Sequence, residues 1–249
     1  QALPISLAGQ NLVAVARQGS GQDVAYLSHA AVHADDQAAL QADHPGPIAV
    51  VLVPTQEAAA KAAEQAGRLL CQSQRSSKHP GGLRCVNMSG GGTRSDKLKE
   101  FSPAGSHIVV GTPKRLLDIA GKEQMSLLRV TLLVLDGADR MVDLGFADEV
   151  RQLASWTRPE RQTLIFAGTW PKALADLSNE LTFAGGAPVH IAVSATAQPQ
   201  KRPAAPAEAT AKTGGVRPQA KAKLQAKAKA QPARQAAAQE EEEEFPEDW

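Results

Sequence analysis

Residues 131–146 read Thr-Leu-Leu-Val-Leu-Asp-Gly-Ala-Asp-Arg-Met-Val-Asp-Leu-Gly-Phe. The first six form an apolar run that ends on an acid, without the polar alternation of a half-exposed strand. A strand that is apolar at successive positions is buried on both faces, as strands of a parallel sheet are. Similar short runs rich in Val, Ile and Leu occur at 12–16, 48–53, 83–87, 107–111 and 163–167. Between them, residues 56–72, 93–100, 113–121, 146–156 and 171–181 have helical spacing or helix-start signals such as Thr112-Pro113. Repeated strand-then-helix order predicts an α/β fold, a doubly wound parallel sheet whose ligand sites lie beyond the carboxyl ends of the strands. Asp136 and the residues just after it are therefore the first place to look for chemistry.

The chain has 249 residues, 43% of them hydrophobic, enough for one sizeable core with some chain left over. No apolar run approaches the roughly 18–20 residues of a membrane span, so no membrane partner is expected. Cys71 and Cys85 stand fourteen positions apart without a CxxC pair or a histidine cluster beside them, which predicts neither a zinc site nor a disulfide framework. The default is a reducing, intracellular compartment (nucleus, cytoplasm or an organelle) rather than secretion. The chain opens on Gln1 rather than Met, so a natural start and any targeting signal are expected upstream.

The formal net charge of +1 conceals a division. Residues 1–195 carry 18 basic and 18 acidic side chains, residues 196–238 carry nine basic ones against the single acid Glu208, and the last eleven residues carry seven acids and no base. From residue 196 the composition is Ala, Gln, Pro and Lys, which buries too little apolar surface to offset ordering entropy. The expected organisation is a folded domain over 1–195 and a disordered basic tail over 196–249 ending in an acidic segment. Nine cations suit weak, salt-dependent contact with nucleic-acid phosphate, although no aromatics are interleaved for base stacking. The acidic end, with Phe245 and Trp249, offers a peptide for a protein partner.

After the first strand comes Ala16-Arg17-Gln18-Gly19-Ser20-Gly21-Gln22-Asp23, a glycine-rich turn opening a helix. A phosphate-cradling loop needs glycines so that backbone N–H groups reach phosphate oxygens, then a Lys for the β/γ charge and a Ser or Thr for Mg²⁺. Here the glycines stand, but Gln22 and Asp23 occupy the Lys and hydroxyl positions, a shift of two charge units against a triphosphate. One unit-charge contact at about 4 Å is worth roughly 4 kcal/mol at an effective dielectric near 20 before desolvation, so tight ATP binding in the usual pose is not expected.

Read in order, Leu7 to Asn11, Ala16 to Asp23, Val53-Pro54-Thr55-Gln56-Glu57-Ala58, Gly90-Gly91, Gly111-Thr112-Pro113-Lys114-Arg115, Val134 to Met141, Leu144-Gly145-Phe146 and Phe166 to Pro171 resemble the motifs of the first RecA-like domain of DEAD-box RNA helicases. The likeness covers roughly residues 3–193. It implies a RecA-like, P-loop NTPase fold. It also assigns nucleotide-binding positions to Gly19, Ser20, Gly21, Gln22, Asp23, Asp136 and Asp139, with Asp136 facing any retained Mg²⁺. RNA-backbone contacts fall to Pro54, Thr55, Gln56, Gly90, Gly91, Thr112, Pro113, Lys114 and Arg115. The family's adenine-reading motif falls before Gln1, and nothing after Val193 resembles the second RecA-like domain.

The departures lie on catalytic positions. Gln22 and Asp23 replace Lys and Thr, Gly137 stands where D-E-A-D has its water-polarising Glu, and Ala167 replaces the Ser of S-A-T, which predicts a lost hydroxyl contact to Asp139. The resemblance then implies a degenerate domain without ATPase or unwinding activity, acting as an RNA- or ribonucleoprotein-associated scaffold, with no cofactor expected. The alternative is a truncated helicase that still binds ATP and Mg²⁺ as a switch. Trp156 and Trp170 are expected in packing. His29 and His33, at i and i+4 on a helix, are expected as a surface or partly buried pair and not as metal ligands.

Overall fold

The computed structural model describes residues 1–40, 46–71, 73, 78–89, 94–101, 105–122, 125–182 and 186–193. Among these residues β1 (Leu12–Val15), β2 (Ala49–Leu52), β3 (Cys85–Asn87), β4 (Ile108–Gly111), β5 (Leu132–Asp136), β6 (Gln162–Ala167) and β7 (Val189–Ala192) form one sheet, ordered β3-β4-β2-β5-β6-β1-β7. Every pairing is parallel. The helices are α1 (Ala2–Leu7), α2 (Gln22–Asp36), α3 (Gln56–Leu70), α4 (Arg94–Phe101), α5 (Pro113–Ala120), α6 (Ala138–Asp143), α7 (Ala147–Ser155) and α8 (Lys172–Thr182).

The period of two along β5 divides the core. Leu132 and Val134 face a cluster with Tyr26, Leu27 and Ala30 of α2 and Ala59 and Ala62 of α3. Leu133 and Leu135 face the other side, with Leu116 and Ile119 of α5, Val150 and Leu153 of α7 and Leu174 and Leu177 of α8. Each large side chain fully buried in this way contributes about 1.5–3 kcal/mol relative to exposure. The small residues of α3 let that helix lie close against the sheet. Trp156 and Trp170 are partly buried against the α5–α7–α8 cluster, in packing roles.

The runs at 48–53 and 163–167 shift by a residue or so, which is the usual scatter at element ends. Ile48 and Val53 stay in the hydrogen-bond ladder, accepted by the carbonyls of His107 and Gly111. Three elements escaped the sequence pattern. α1 and α6 are only six residues long, and β7 is an edge strand with β1 as its one neighbour. Its residues alternate between half-buried and exposed, so it has no continuous apolar run to announce it. The tail expected over 196–249 lies outside the described residues.

Polar side chains pin α1 and the start of β1 to the amino end of β6. The Gln162 amide donates to the carbonyls of Ser6 and Gln10 at 2.8 and 2.7 Å and accepts from His29 Nε2 at 2.8 Å. Asn11 accepts from the Thr163 N–H at 2.7 Å and donates to the Gly186 carbonyl at 2.9 Å. His33 Nε2 meets Thr131 Oγ1 at 2.7 Å, so α2 is tied to the sheet at both histidines. The pair shares a helix face as expected, yet His29 is buried rather than superficial.

A second histidine pair has its tautomers set by its neighbours. The Arg84 N–H donates to His107 Nδ1 at 3.0 Å, so the proton of His107 sits on Nε2 and points at His79 Nδ1, 3.1 Å away. His79 Nε2 in turn donates to the Asp35 carbonyl at 3.3 Å. Protonating either ring sets two donors face to face. Burial, then the charges of His79, Arg129 and Arg84, lower the His107 pKa from 6.5 to about 4, and burial lowers those of His29 and His33 as well. Between these values the unfolded chain holds the extra proton, so stability is complete above about pH 6.5 and is lost as pH falls towards about 4. The urea midpoint is therefore expected to drop between about pH 7 and about pH 5.5, above most carboxylate titration. A His107→Asn variant should show a flatter dependence, and an equal slope in both proteins would contradict this account.

Candidate functional site

β1 and β5 deliver their loops to the same edge of the sheet. Gly19 and Gly21 adopt φ of +84° and +81°, left-handed values that let the loop turn sharply into α2, for which Gly21 is the N-cap. Beside the loop lies a cavity of about 300 Å³ lined by residues of the loop, α2, α3 and β5, including Gln22, Asp23, Tyr26, Lys61 and Asp136. Gly19, Gln22, Asp23 and Asp136 line this cavity, whereas Ser20 and Gly21 line another one beside Ala14, Ala25 and Phe166.

Several polar groups there are engaged by protein, while Gln65 Oε1, which also lines the cavity, is buried without a hydrogen-bond partner. The Gln22 amide folds back and donates to the Ala16 carbonyl at 3.0 Å. Asp23 Oδ1 accepts from the Val24 N–H at 3.0 Å, and its Oδ2 lies 3.6 Å from Lys61 Nζ. The Tyr26 hydroxyl donates to Asp136 Oδ2 at 2.9 Å. Burial raises the pKa of Asp136, against the lowering effect of the Tyr26 bond, and the nearby Asp23 charge raises it further. Burial and Asp136 together raise that of Tyr26.

Gly137 and Ala167 flank a second contact. Asp139 Oδ2 accepts from the N–H groups of Gly168 and Thr169 at 3.2 and 2.9 Å and from Thr169 Oγ1 at 3.0 Å. The contact expected to vanish with Ala167 is therefore present, because Thr169 supplies the hydroxyl two residues later; Ala167 itself is buried. Gly137 has φ of +72°, and a Cβ there would sit 3.3 Å from Pro54 Cγ. A carboxylate side chain at 137 would thus meet both a left-handed backbone and the Pro54 ring.

A nucleoside triphosphate with Mg²⁺ calls for a cation on the loop and a neutral oxygen ligand beside it. At those positions stand an amide turned towards its own loop and a carboxylate already holding an ammonium group, while Tyr26 occupies one oxygen of Asp136. This donor set does not fit that ligand. No group of three or more His, Cys, Asp or Glu side chains suited to a metal occurs among the described residues.

The positions expected to meet RNA lie on the same edge, at the neighbouring strands β2 and β4. Thr55 caps α3, its hydroxyl accepting from the Ala58 N–H at 3.2 Å, and Thr112 precedes Pro113 at the start of α5. Two helix amino ends thereby stand side by side, with Gln56 and Lys114 exposed beside them. Ser89 Oγ accepts the Thr112 N–H at 2.6 Å, and Arg115 donates to the Met88 carbonyl at 3.3 Å. Pro54 is buried under Gly137 rather than presented to a ligand. Gly90 and Gly91 lie outside the described residues.

Sequence reasoning missed Tyr26 and Lys61. Both were within reach of a helical reading. Tyr26 lies four residues after Gln22, and Lys61 follows Glu57 and Ala58 at the spacing that puts all of them on the cavity side of α3.

The DEAD/DEAH box helicase family model matches residues 1–177. DEAD-box ATP-dependent RNA helicase 30 of Arabidopsis thaliana is 37% identical over 180 residues, covering 72% of this chain and 29% of that protein. DEAD-box ATP-dependent RNA helicase 24 of the same plant is 40% identical over 181 residues, covering 73% and 22%. The chain thus spans less than a third of the length of these two relatives. Among solved structures, a DEAD box protein from the hyperthermophile Methanococcus jannaschii superposes with a TM-score of 0.63 at 26% identity, covering 78% of this chain and 48% of that one. On the family match and the shared RecA-like sheet, this chain belongs to the DEAD/DEAH box helicase family.

Proposed function

We propose that this chain is an RNA- or ribonucleoprotein-associated domain of the family that holds its partner without turning over ATP. The observation that carries the reading is the engagement of three side chains at the phosphate and metal positions: Gln22 on Ala16, Asp23 on Lys61 and Asp136 under Tyr26. Hydrolysis of a phosphoanhydride is driven by positioning and by charge stabilisation at the phosphates. At 22, 23 and 137 this chain offers an amide, an acid and a hydrogen atom, none of which neutralises phosphate, ligates Mg²⁺ as a neutral oxygen or polarises water.

The other half of the reading rests on the edge at β2 and β4. Two helix amino ends, capped by Thr55 and begun at Thr112, with Lys114 exposed, suit contact with a sugar-phosphate backbone and carry no base-specific readout. We assign the folded body to 1–195. The basic segment 196–238 adds sequence-independent affinity, and the acidic end serves a protein partner.

Phosphate release by the purified chain, with and without single-stranded RNA, should not exceed that of Asp136→Ala; RNA-stimulated turnover above that control overturns the reading. Lys114→Glu should weaken binding to a single-stranded RNA by about three- to tenfold and reduce the salt slope by about one to two, with stability changed by no more than about 0.5 kcal/mol. Fluorescence anisotropy across a salt series checks it. Undiminished affinity in Lys114→Glu removes the edge of β4 from the interface, and loss of all binding on deletion of 196–249 moves the contact to the tail.

A further inference from the structure

Asp23 stands in the first turn of α2, a fifteen-residue helix whose amino end faces the cavity. Its carboxylate makes two contacts of the kind an anion takes at a helix amino end. One oxygen takes a backbone N–H of the helix start, from Val24 at 3.0 Å, and the other faces an ammonium group, Lys61 at 3.6 Å. Helix amino ends bind anions through such N–H groups and the helix dipole. Lys61 comes from α3, across the cavity, and its charge also acts on Asp136. A cation is therefore present at this pocket, on another element than the loop.

We propose that Asp23 is a resident anion in the phosphate subsite, with Lys61 as its cation, so that the pocket is closed to phosphate by this one carboxylate rather than by the lack of a lysine at 22. The inference deepens the reading of the pocket as a site without turnover and rests on it. Asp23 blocks twice: it occupies the N–H and ammonium partners, and it repels an incoming anion. The Asp23–Lys61 pair is partly exposed, with 24% and 64% of the two side chains accessible, so the pair itself is weak and Asp23 is replaceable at little cost to the fold. Gln22 needs no change, because its amide is already engaged on the Ala16 carbonyl.

The test titrates inorganic tripolyphosphate into the full chain by calorimetry, with thermal melts to establish that each variant is folded. Asp23→Thr should gain affinity by about tenfold or more over the unaltered chain, since it removes a negative charge and frees a positive one. Asp23→Asn, close to isosteric, should gain in the same direction, and it keeps the test open should the Thr variant fold poorly. Adding Lys61→Gln to either variant should abolish most of the gain. Retention of the gain in the Lys61→Gln double variants overturns the role of Lys61, and a gain that appears only when Gln22→Lys is added overturns the role of Asp23. If the unaltered chain already binds as tightly as Asp23→Thr, the mask is refuted. If that chain also releases phosphate from ATP faster than Asp136→Ala, the proposed lack of turnover fails as a separate result.

Discussion

The two-sided burial of β5 is the constraint on which the rest of the molecule depends. Side chains of Leu132 to Leu135 alternate between two cores, one under α2 and α3 and the other under α5, α7 and α8. A strand clamped in this way has no freedom of register, since a slip of one residue would exchange its two faces. The clamp ends at Asp136, whose carboxylate is thereby held at the cavity, and at Gly137, where the backbone turns through a left-handed conformation into α6. The site inherits its position from the core.

At that position polar side chains from separate elements answer one another. Asp139 has a tie to the loop after β6 through Thr169, although Ala167 in the sequence predicts the loss of that hydroxyl contact. Asp23 and Lys61 form a pair of opposite charges across the pocket, and Tyr26 holds Asp136. These contacts tie Asp23, Asp136 and Asp139 to partners on other elements, while Gln65 Oε1 in the same cavity stays buried without one. A fold can keep its geometry while its pocket changes ligand chemistry, because the packing that builds the sheet does not pass through these polar groups.

The opposite end of the sheet carries a different polar organisation. His29 and His33 hold α2 to Gln162 and Thr131, while His107 and His79 continue to the Asp35 carbonyl. α2 therefore has its amino end at the cavity and its carboxyl half bolted to the amino edge of the strands. The His107 contacts need a neutral imidazole, since its Nδ1 accepts from the Arg84 N–H, and burial favours that form.

The sequence by itself determined the parallel sheet, the places of six apolar strands along the chain and the positions just beyond them, but not the order of the strands in the sheet. Those follow from local properties, since a doubly buried strand must be apolar along its length and glycines must stand where the loop turns. The resemblance of the ordered motifs to the family is legible at the same level. What only the tertiary structure decided is who answers whom: Thr169 for Asp139, Tyr26 for Asp136, Lys61 for Asp23. β7 and the short α1 and α6 belong to that class too, because an edge strand and a six-residue helix take their stability from neighbours rather than from periodicity. Hydrogen bonds and ion pairs between elements far apart in the chain depend on distances of a few ångströms, and these exist only once the two cores have packed.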